Sequence, residues 1–243
     1  PVLEYLRKSD ADIICLQEHN ISPTAKIHLN AKEVEEGMKA YPYRHIQRVG
    51  QENGNNRIAV YYRFPILSAR KLQYDSSYNG SAIYELKINE DTITLINNHL
   101  ESNKLTKADK AVYEEMLKDP NAHKVKSGTQ HLVGKLAEAS AIRAKQADVI
   151  AAEIAASRHP YIIVCGDFND TAISYTHRVI AEKLDDAFTE SGQGLGISYN
   201  QNKFYFRIDN ILISKSLRAY NCTVDRSIKD SDHYPIWCYV AKR

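Results

Sequence analysis

The chain has 243 residues, 43% of them hydrophobic, and its 32 basic and 30 acidic side chains give a net charge of +2. This length and apolar content suffice for a sizeable buried core, which argues against an intrinsically disordered chain. The nearly balanced charge argues against a dedicated non-specific DNA-binding protein, so a polyanionic substrate would have to be held by a local site.

The chain opens at Pro1 inside a predicted helix that contains Val2, Leu3 and Leu6. No signal peptide is visible, and no run approaches the roughly 18 apolar residues that a membrane span requires. Because the chain starts within this helix, we expect it to be truncated at its N-terminus. A missing segment of this kind leaves localisation open.

The cysteines show neither a CxxC spacing nor a cluster with histidine; they are Cys15, Cys165, Cys222 and Cys238. Three of them lie in apolar, strand-like runs, which predicts reduced and buried thiols and argues against a zinc site. Reduced cysteines would fit a cytoplasmic protein.

Short apolar runs bounded by polar turns predict buried β-strands. These runs are Asp12–Leu16, Arg57–Tyr62, Ala82–Ile88, Thr92–Asn97, Tyr161–Cys165, Arg207–Ile213 and Ile236–Val240. No repeat or low-complexity linker separates them, so we expect a single domain over residues 1–243.

A long helical stretch is predicted between the fourth and fifth strands, from about Asn103 to Ser157, with breaks near Pro120 and Gly128. A shorter helix is predicted for Thr176–Leu184, followed by a glycine-rich loop. Because the helices are grouped and do not alternate with the strands, the pattern predicts an α+β fold in which helices cover layers of sheet.

Polar clusters follow or begin several of these strands and together suggest one site. They contain Glu18, then His99, then Asp167 and Asn169, then Asp209, and finally Asp232 and His233. Taken singly, most of these residues would more often be solvated loop residues or turn formers. Their repeated position at strand ends favours a shared function.

The residue types point to metal-assisted cleavage of a phosphoester. Glu18 and Asp232 offer hard carboxylate oxygens suited to Mg²⁺ or Mn²⁺. A carboxylate and an amide in Gly-Asp167-Phe-Asn169 could relay a proton and position the attacking water. An inward-facing Asp209 needs a partner, and His233, which ordinarily titrates near neutral pH, is the natural one.

The ordered motifs LQE, NHL, GDFN, RIDNIL and SDHYPI resemble the endonuclease/exonuclease/phosphatase superfamily over residues 12–240. This resemblance implies the deoxyribonuclease I-like fold, a four-layer α/β sandwich of two mainly antiparallel or mixed β-sheets flanked by helices. The segment from Ala59 to Ile66 also resembles a structural strand of that family, although Tyr62 stands where serine is usual.

The resemblance implies a role for each matching position. Glu18 would bind the divalent cation and Asp232 would complete the metal environment. Asp209 would pair with His233, which would activate water or stabilise the phosphoryl oxygens, and Asp167 would transfer a proton. His99 and Asn169 would hydrogen-bond the phosphate. Apart from the resemblance, residues two apart in an extended segment point the same way, so we expect Glu101 to orient or charge His99. The implied reaction is in-line attack of water on phosphorus.

The resemblance leaves the substrate open between a nuclease and a non-nucleic-acid, sphingomyelinase-like phosphodiesterase, with a phosphomonoesterase as a further alternative. The motif RIDNIL disfavours inositol polyphosphate phosphatases. A catalytically silent binding module is the alternative from another class, although every polar position is filled by a chemically competent residue. The family's first strand is absent, which puts metal affinity in question. A monomer without an obligate protein partner is expected.

Overall fold

A computed structural model describes residues 1–20, 30–51, 54–76, 78–118, 123–201 and 204–243. The helices are α1 (Val2–Lys8), α2 (Ala31–Gly37), α3 (Lys107–Lys118), α4 (His123–Ala156), α5 (Tyr175–Ile180) and α6 (Ala187–Ser191). Within these ranges, no helix combines the length and apolar character needed to cross a membrane.

The strands in the described ranges are β1 (Ile13–Leu16), β2 (Tyr43–Arg48), β3 (Arg57–Tyr62), β4 (Ile66–Lys71), β5 (Gly80–Ile88), β6 (Asp91–His99), β7 (Tyr161–Asp167), β8 (Leu184–Asp186), β9 (Tyr199–Gln201), β10 (Phe204–Phe206), β11 (Asp209–Ser214), β12 (Leu217–Val224) and β13 (Ile236–Lys242). The main sheet has the order β4-β5-β6-β7-β11-β8. Its neighbours are antiparallel except for the parallel pair β6–β7, which α3 and α4 connect. The sheet is therefore mixed.

The buried residues form three apolar clusters that separate four layers. One cluster lies between the main sheet and the strands β3, β12 and β13. A second lies between the main sheet and α4 and α5, and a third packs α1 and α2 against β1 and β3. The order is thus helices, sheet, sheet, helices, which confirms the expected four-layer sandwich.

The layer facing the main sheet consists of two ladders, β1-β3-β2 and β12-β13. All four cysteines are free thiols and belong to the cluster between the sheets, but only Cys222 is fully buried. Burial was therefore predicted correctly for one cysteine, and the other three are half-buried. The strand expected before Pro1 stays a prediction.

Every predicted strand overlaps a strand of the structure, whereas β2, β4, β8, β9, β10 and β12 were not predicted. The missed strands are short or largely exposed, so they lack a continuous apolar run. Most of the predicted strands differ from the structure by one or two residues at a boundary. β6 continues to His99 and β7 to Asp167, and β11 begins at Asp209, so that Arg207 precedes it.

The predicted long helical stretch corresponds to α3 and α4, although α3 begins at Lys107, four residues after the predicted start. Pro120 lies outside the described residues, between the end of α3 and the start of α4. The predicted break at Gly128 is wrong, because α4 runs through it. A Cβ added at Gly128 would lie 2.7 Å from Cγ1 of Val112, so this glycine allows α3 to pack closely on α4.

The predicted helix Thr176–Leu184 is shorter in the structure. α5 ends at Ile180, and Leu184 begins the edge strand β8, which pairs antiparallel with β11. Leu184 pairs with Ser214 in this ladder, so the helix ends before the point that helix propensity alone predicts.

Gly166 allows the closest backbone approach beside the polar strand ends. It has φ +123°, and an added Cβ would lie 2.1 Å from the carbonyl oxygen of Asn98 on the neighbouring strand. The amide of Asn98 also donates to the carbonyl of Cys165 at 3.0 Å. Only glycine can occupy this position without displacing β6 from β7.

Asp186 joins β8, α6 and the segment before β11. Its carboxylate accepts two hydrogen bonds from the Arg207 guanidinium at 2.9 and 2.7 Å, and His177 Nε2 lies 3.0 Å from it. It also caps α6 by accepting from two backbone amides. Burial alone would raise the pKa of Asp186, but the hydrogen bonds from His177 and Arg207 hold it well below its usual range.

Gly166→Ala should lower the free energy of unfolding by about 3 kcal/mol, because the strain of alanine at a positive φ adds to the clash of its Cβ with the Asn98 carbonyl. Urea denaturation measures the change. Gly134→Ala is the matched control: Gly134 lies in α4 with nothing near its Cβ position, so alanine should stabilise by about 1 kcal/mol. A loss below about 1 kcal/mol at Gly166 would contradict the close-approach argument.

Asp186→Asn should cost about 3 kcal/mol at pH 7, because it leaves the buried Arg207 without its counter-charge. The folded pKa of Asp186 is depressed, so its contribution is complete above the unfolded pKa of about 4 and falls as pH drops toward the folded pKa. The difference between wild type and variant, measured in urea, should stay constant from pH 7 to 5 and shrink below pH 4.

Asp185→Asn provides the control for this measurement. Its side chain is 31% exposed and pairs with Arg243 at 2.8 Å, so its loss should cost no more than about 1 kcal/mol. Equal effects of the two substitutions at pH 7 would show that the buried network has no special weight.

Candidate active site

Strand register places three ionisable side chains side by side at one end of the main sheet. In the parallel ladder His99 of β6 pairs with Asp167 of β7, and in the antiparallel ladder Asp167 pairs with Asp209 of β11. Directly paired residues share a face, and this face is the one that packs against the second sheet. We call these three residues the ionisable row.

Asp209 forms the strongest contact of the row, with His233 from the loop before β13. His233 Nδ1 lies 2.7 Å from Oδ2 of Asp209, and the backbone N–H of Asp209 donates to Ser198 Oγ at 3.1 Å. Burial would lower the pKa of His233, but the charge and hydrogen bond of Asp209 raise it to about 10. The ring is therefore an imidazolium at neutral pH, so His233 does not titrate near neutrality as the sequence suggested.

Asp167 is the group of the row that titrates near neutrality. Burial and the adjacent charge of Asp209 raise its pKa to about 7. Its Oδ1 accepts from the backbone N–H of Asn169 at 2.7 Å, and its Oδ2 lies 3.9 Å from His233 Nε2. A carboxyl group with this pKa can accept a proton at neutral pH and release it again.

His99 is neutral and almost completely buried. Burial, followed by the charge of His233, lowers the pKa of His99 to about 4. Its Nε2 lies 3.6 Å from Asp167 and 3.9 Å from Glu18, and its Nδ1 has no hydrogen-bond partner in the described ranges. Such an unsatisfied buried nitrogen is typical of a functional site.

Glu101 does not orient His99, contrary to the sequence interpretation. Its carboxylate accepts from Ser76 at 2.5 Å and pairs with Lys104 at 2.7 Å. Alternation along an extended segment does not apply here, because β6 ends at His99 and the chain turns after it. Only the charge of Glu101 acts on His99, where it is a minor influence on the pKa.

Asn169 supports Asp167 in this structure. It has φ +50°, and its amide donates to the carbonyl of Leu100 at 3.0 Å and to Oδ2 of Asp167 at 3.1 Å. Phe168 between them is fully buried against the helix layer. The contact of Asn169 with a phosphate stays a prediction.

Glu18 and Asp232 form an acidic edge beside the row. Glu18 follows β1 with φ +51°, and its side chain is 64% exposed. Partial burial and the charge of Asp232 raise the pKa of Glu18. Asp232 is exposed and acts on Glu18 and His233 through its charge. Two like charges at one cleft edge are what a divalent cation would neutralise.

The side chains of Asp167, Asp209 and His233 also lie within 4.8 Å of one another, a grouping that could hold a divalent metal. A protonated His233 engaged by Asp209 is a poor ligand, because metal-bound histidine is neutral. The donor chemistry therefore fits a cation better at Glu18 and Asp232, with the row beside it.

Sequence reasoning missed the contact that closes the site between the sheets. The amide of Gln17 donates to Asn97 Oδ1 at 2.7 Å, and the buried amide of Asn97 donates to the carbonyl of Ala59 at 3.1 Å. These bonds tie β1 and β3 to β6 and so bring Glu18 toward His99. The available signal was the side-by-side polar pair Asn97-Asn98 at the end of a buried strand.

Arg143 of α4 is a second residue that the sequence reasoning missed. It is 3% exposed and donates to Asp170 at 3.1 Å, the carbonyl of Glu101 at 2.9 Å and Asn103 at 2.9 Å. It thereby holds the turns after β6 and β7 together. An arginine within the apolar stripe of α4 was the available signal.

A further set of side chains lies beside His233. Tyr199 of β9 packs edge-on against the His233 ring, with centroids 5.1 Å apart. Lys110 of α3 donates to the Tyr199 hydroxyl at 3.0 Å, and Tyr113 of α3 stacks on Phe204 of β10 at 4.1 Å. We call these four residues the aromatic wall.

Solved structures share this architecture. The chain superposes on humanized D. rerio TDP2 with a TM-score of 0.69 and 16% identity, over 99% of this chain and 90% of that chain. It superposes on the human Nocturnin catalytic domain with a TM-score of 0.65 and 14% identity, over 100% of this chain and 85% of that chain. It superposes on the Bacteroides thetaiotaomicron mannosyl-6-phosphatase with a TM-score of 0.59 and 16% identity, over 99% of this chain and 89% of that chain. No curated protein matches the sequence.

A profile described as the Endonuclease/Exonuclease/phosphatase family matches residues 1–233. The match covers nearly the whole chain, and the structural neighbours confirm the deoxyribonuclease I-like fold that the motifs implied. Together they support hydrolysis of a phosphoester by a protein of a kind that uses divalent metals. The chain belongs to the Endonuclease/Exonuclease/phosphatase family.

Proposed function

We propose that this protein is a divalent-metal-dependent phosphodiesterase that cleaves its substrate by in-line attack of water. The observation behind the proposal is the pairing of Asp209 with His233 at 2.7 Å beside Asp167. It places a cationic hydrogen-bond donor and a carboxyl group with a near-neutral pKa at one edge of the sheet. Such a pair can serve phosphoester cleavage, the carboxylate by accepting a proton and the cation by stabilising charge on the phosphoryl oxygens.

Asp167 is the proposed general base. Its carboxylate form is available near neutral pH, and the two hydrogen bonds from Asn169 hold it in one orientation. It would take the proton of the attacking water as the oxygen approaches phosphorus. A base with an unperturbed carboxyl pKa would accept this proton less readily.

His233 and His99 are the proposed partners of the phosphoryl oxygens. The imidazolium of His233 can donate from Nε2 while Asp209 holds Nδ1, so charge that builds on phosphorus oxygens meets a fixed cation. Neutral His99 can donate one N–H without adding charge. Asp209 orients His233 and keeps it protonated.

Glu18 and Asp232 are the residues that would hold Mg²⁺ or Mn²⁺. When bound, such a cation neutralises charge on the phosphate and on the leaving oxygen. Glu18 is positioned for this by the contact of Gln17 with Asn97, which anchors the end of β1.

A diester suits the site better than a monoester. His233 is the cation of the site next to the acidic groups Asp167, Asp209, Glu18 and Asp232. A diester has one negative charge, whereas a monoester has close to two at neutral pH. The acidic surroundings therefore repel a monoester more strongly.

Asp167→Asn should lower kcat for bis-p-nitrophenyl phosphate by about 10²- to 10⁴-fold, because the isosteric amide cannot accept the proton. Release of p-nitrophenolate with Mg²⁺ or Mn²⁺ measures the rate. Chelation with EDTA should abolish wild-type turnover, and added metal should restore it. p-Nitrophenyl phosphate, the monoester, should be cleaved more slowly by wild type.

Asp148→Asn is the control for the charge change. Asp148 is exposed on α4, and within the described ranges its side chain accepts one hydrogen bond, from the Tyr175 hydroxyl. Its rate should equal wild type. Faster monoester than diester cleavage would redirect the assignment to a phosphomonoesterase. Absence of turnover with either ester under any metal would support a binding module instead.

Asp209→Asn and His233→Gln should each lower kcat/KM by about 10²-fold or more, and the double variant should be no slower than His233→Gln alone. Asp209 acts through His233, so its effect disappears once the imidazole is gone. Kinetics of the four proteins on the same diester give the coupling. Multiplicative effects would show that the two residues act independently.

A further inference from the structure

The aromatic wall extends the site beyond the atoms that the hydrolysis itself needs. The stacking of Tyr113 on Phe204 docks α3 on the β9–β10 hairpin. The same hairpin meets the loop before β13, because Tyr199 forms a β-bridge with His233. Helix α3 is thereby fixed next to the proposed phosphate position.

Lys110 is the charged member of this wall. Its Nζ donates to the Tyr199 hydroxyl at 3.0 Å and lies 5.7 Å from the centre of the Tyr199 ring. The edge of that ring contacts His233. One tyrosine side chain therefore separates the Lys110 ammonium from the His233 ring.

Lys110 also has an unusual electrostatic position. Two nearby lysines are paired with carboxylates, Lys104 with Glu101 at 2.7 Å and Lys135 with Asp109 at 2.7 Å. Within the described ranges no carboxylate lies within ion-pair distance of Lys110, although the side chain is half-buried. A half-buried ammonium that is hydrogen-bonded to a neutral hydroxyl retains its charge for an external anion.

We propose that Lys110, positioned by Tyr199, binds a second phosphate of the substrate next to the scissile one. The inference rests on the proposed phosphodiesterase function and narrows its substrate to phosphodiesters with an additional phosphate. A lysine suits this task because its three donors act as a point charge without demanding one geometry. A cationic head group such as choline would be repelled from the same place.

The test compares two chromogenic substrates that share base, sugar and scissile bond: thymidine 5′-(p-nitrophenyl phosphate), with and without a 3′-phosphate. With the full chain and Mg²⁺, wild type should prefer the 3′-phosphorylated substrate by about tenfold in kcat/KM. Lys110→Gln should remove this preference by raising KM for that substrate alone, with kcat and the other substrate unchanged.

Lys107→Gln is the matched control. Lys107 is exposed on the same helix, and its substitution changes the net charge by the same amount. It should retain the preference. Tyr199→Phe, which removes the hydroxyl that holds the ammonium, should reduce the preference in part. Lys110→Arg should preserve most of it.

The outcomes separate this proposal from the one it rests on. If wild type cleaves neither nucleotide nor bis-p-nitrophenyl phosphate, the phosphodiesterase function fails. If wild type cleaves both nucleotides equally, or Lys110→Gln keeps the preference, the second phosphate site is overturned and the function stands. Faster wild-type cleavage of p-nitrophenylphosphorylcholine than of the 3′-phosphorylated nucleotide also overturns it.

A tetrathymidylate substrate identifies the source of the second phosphate. A rise in KM for the oligonucleotide on Lys110→Gln would assign the site to a nucleic acid strand, where every linkage has a neighbouring phosphate. A rise confined to the mononucleotide would assign it to a small bisphosphorylated compound.

Discussion

The register of three neighbouring strands is the constraint on which the rest of the site depends. β6 and β7 run parallel and β7 and β11 antiparallel, so only one alignment of both ladders puts His99, Asp167 and Asp209 in a row. A shift by one residue would turn the shifted side chains to the helix face of the sheet. Gly166 protects this alignment, because its missing Cβ lets the Asn98 carbonyl approach. The chemistry of the site is in this sense a property of the sheet.

Crowding ionisable groups into one buried row also divides their roles. Two neighbouring buried carboxylates repel each other when both are ionised, and His233 offsets this repulsion by pairing with Asp209. Asp209 raises the pKa of His233 to about 10, while burial and the adjacent Asp209 raise the pKa of Asp167 to about 7. His99, between a cation and the core, stays neutral. His233, Asp167 and His99, whose pKa values in water lie within a few pH units of one another, thus acquire widely separated pKa values.

The sequence predicted the features that depend on local pattern. Strands buried on both faces, such as β3, β6 and β7, are continuous apolar runs, and the polar residues that follow them stood out by contrast. Short edge strands such as β8 lack that contrast, since the partner strand β11 determines their conformation. Arg143 and Lys110 were missed for the same reason. Their significance arises from what α4 and α3 pack against, and periodicity along one helix does not contain that information.

The two parts of the site therefore differ in origin. The ionisable row is set by a ladder register that the sandwich core enforces, so its geometry does not depend on the substrate. The aromatic wall comes from the connection between β6 and β7 and from a hairpin before β11, which are attached to the core at their ends. Connections of this kind can change without disturbing the sheet, which is where specificity is expected to vary. The Tyr199 ring contacts His233 directly and so connects the aromatic wall to the row. A substrate group recognised at Lys110 would thus be placed relative to the scissile phosphate by the same contact that positions the imidazolium.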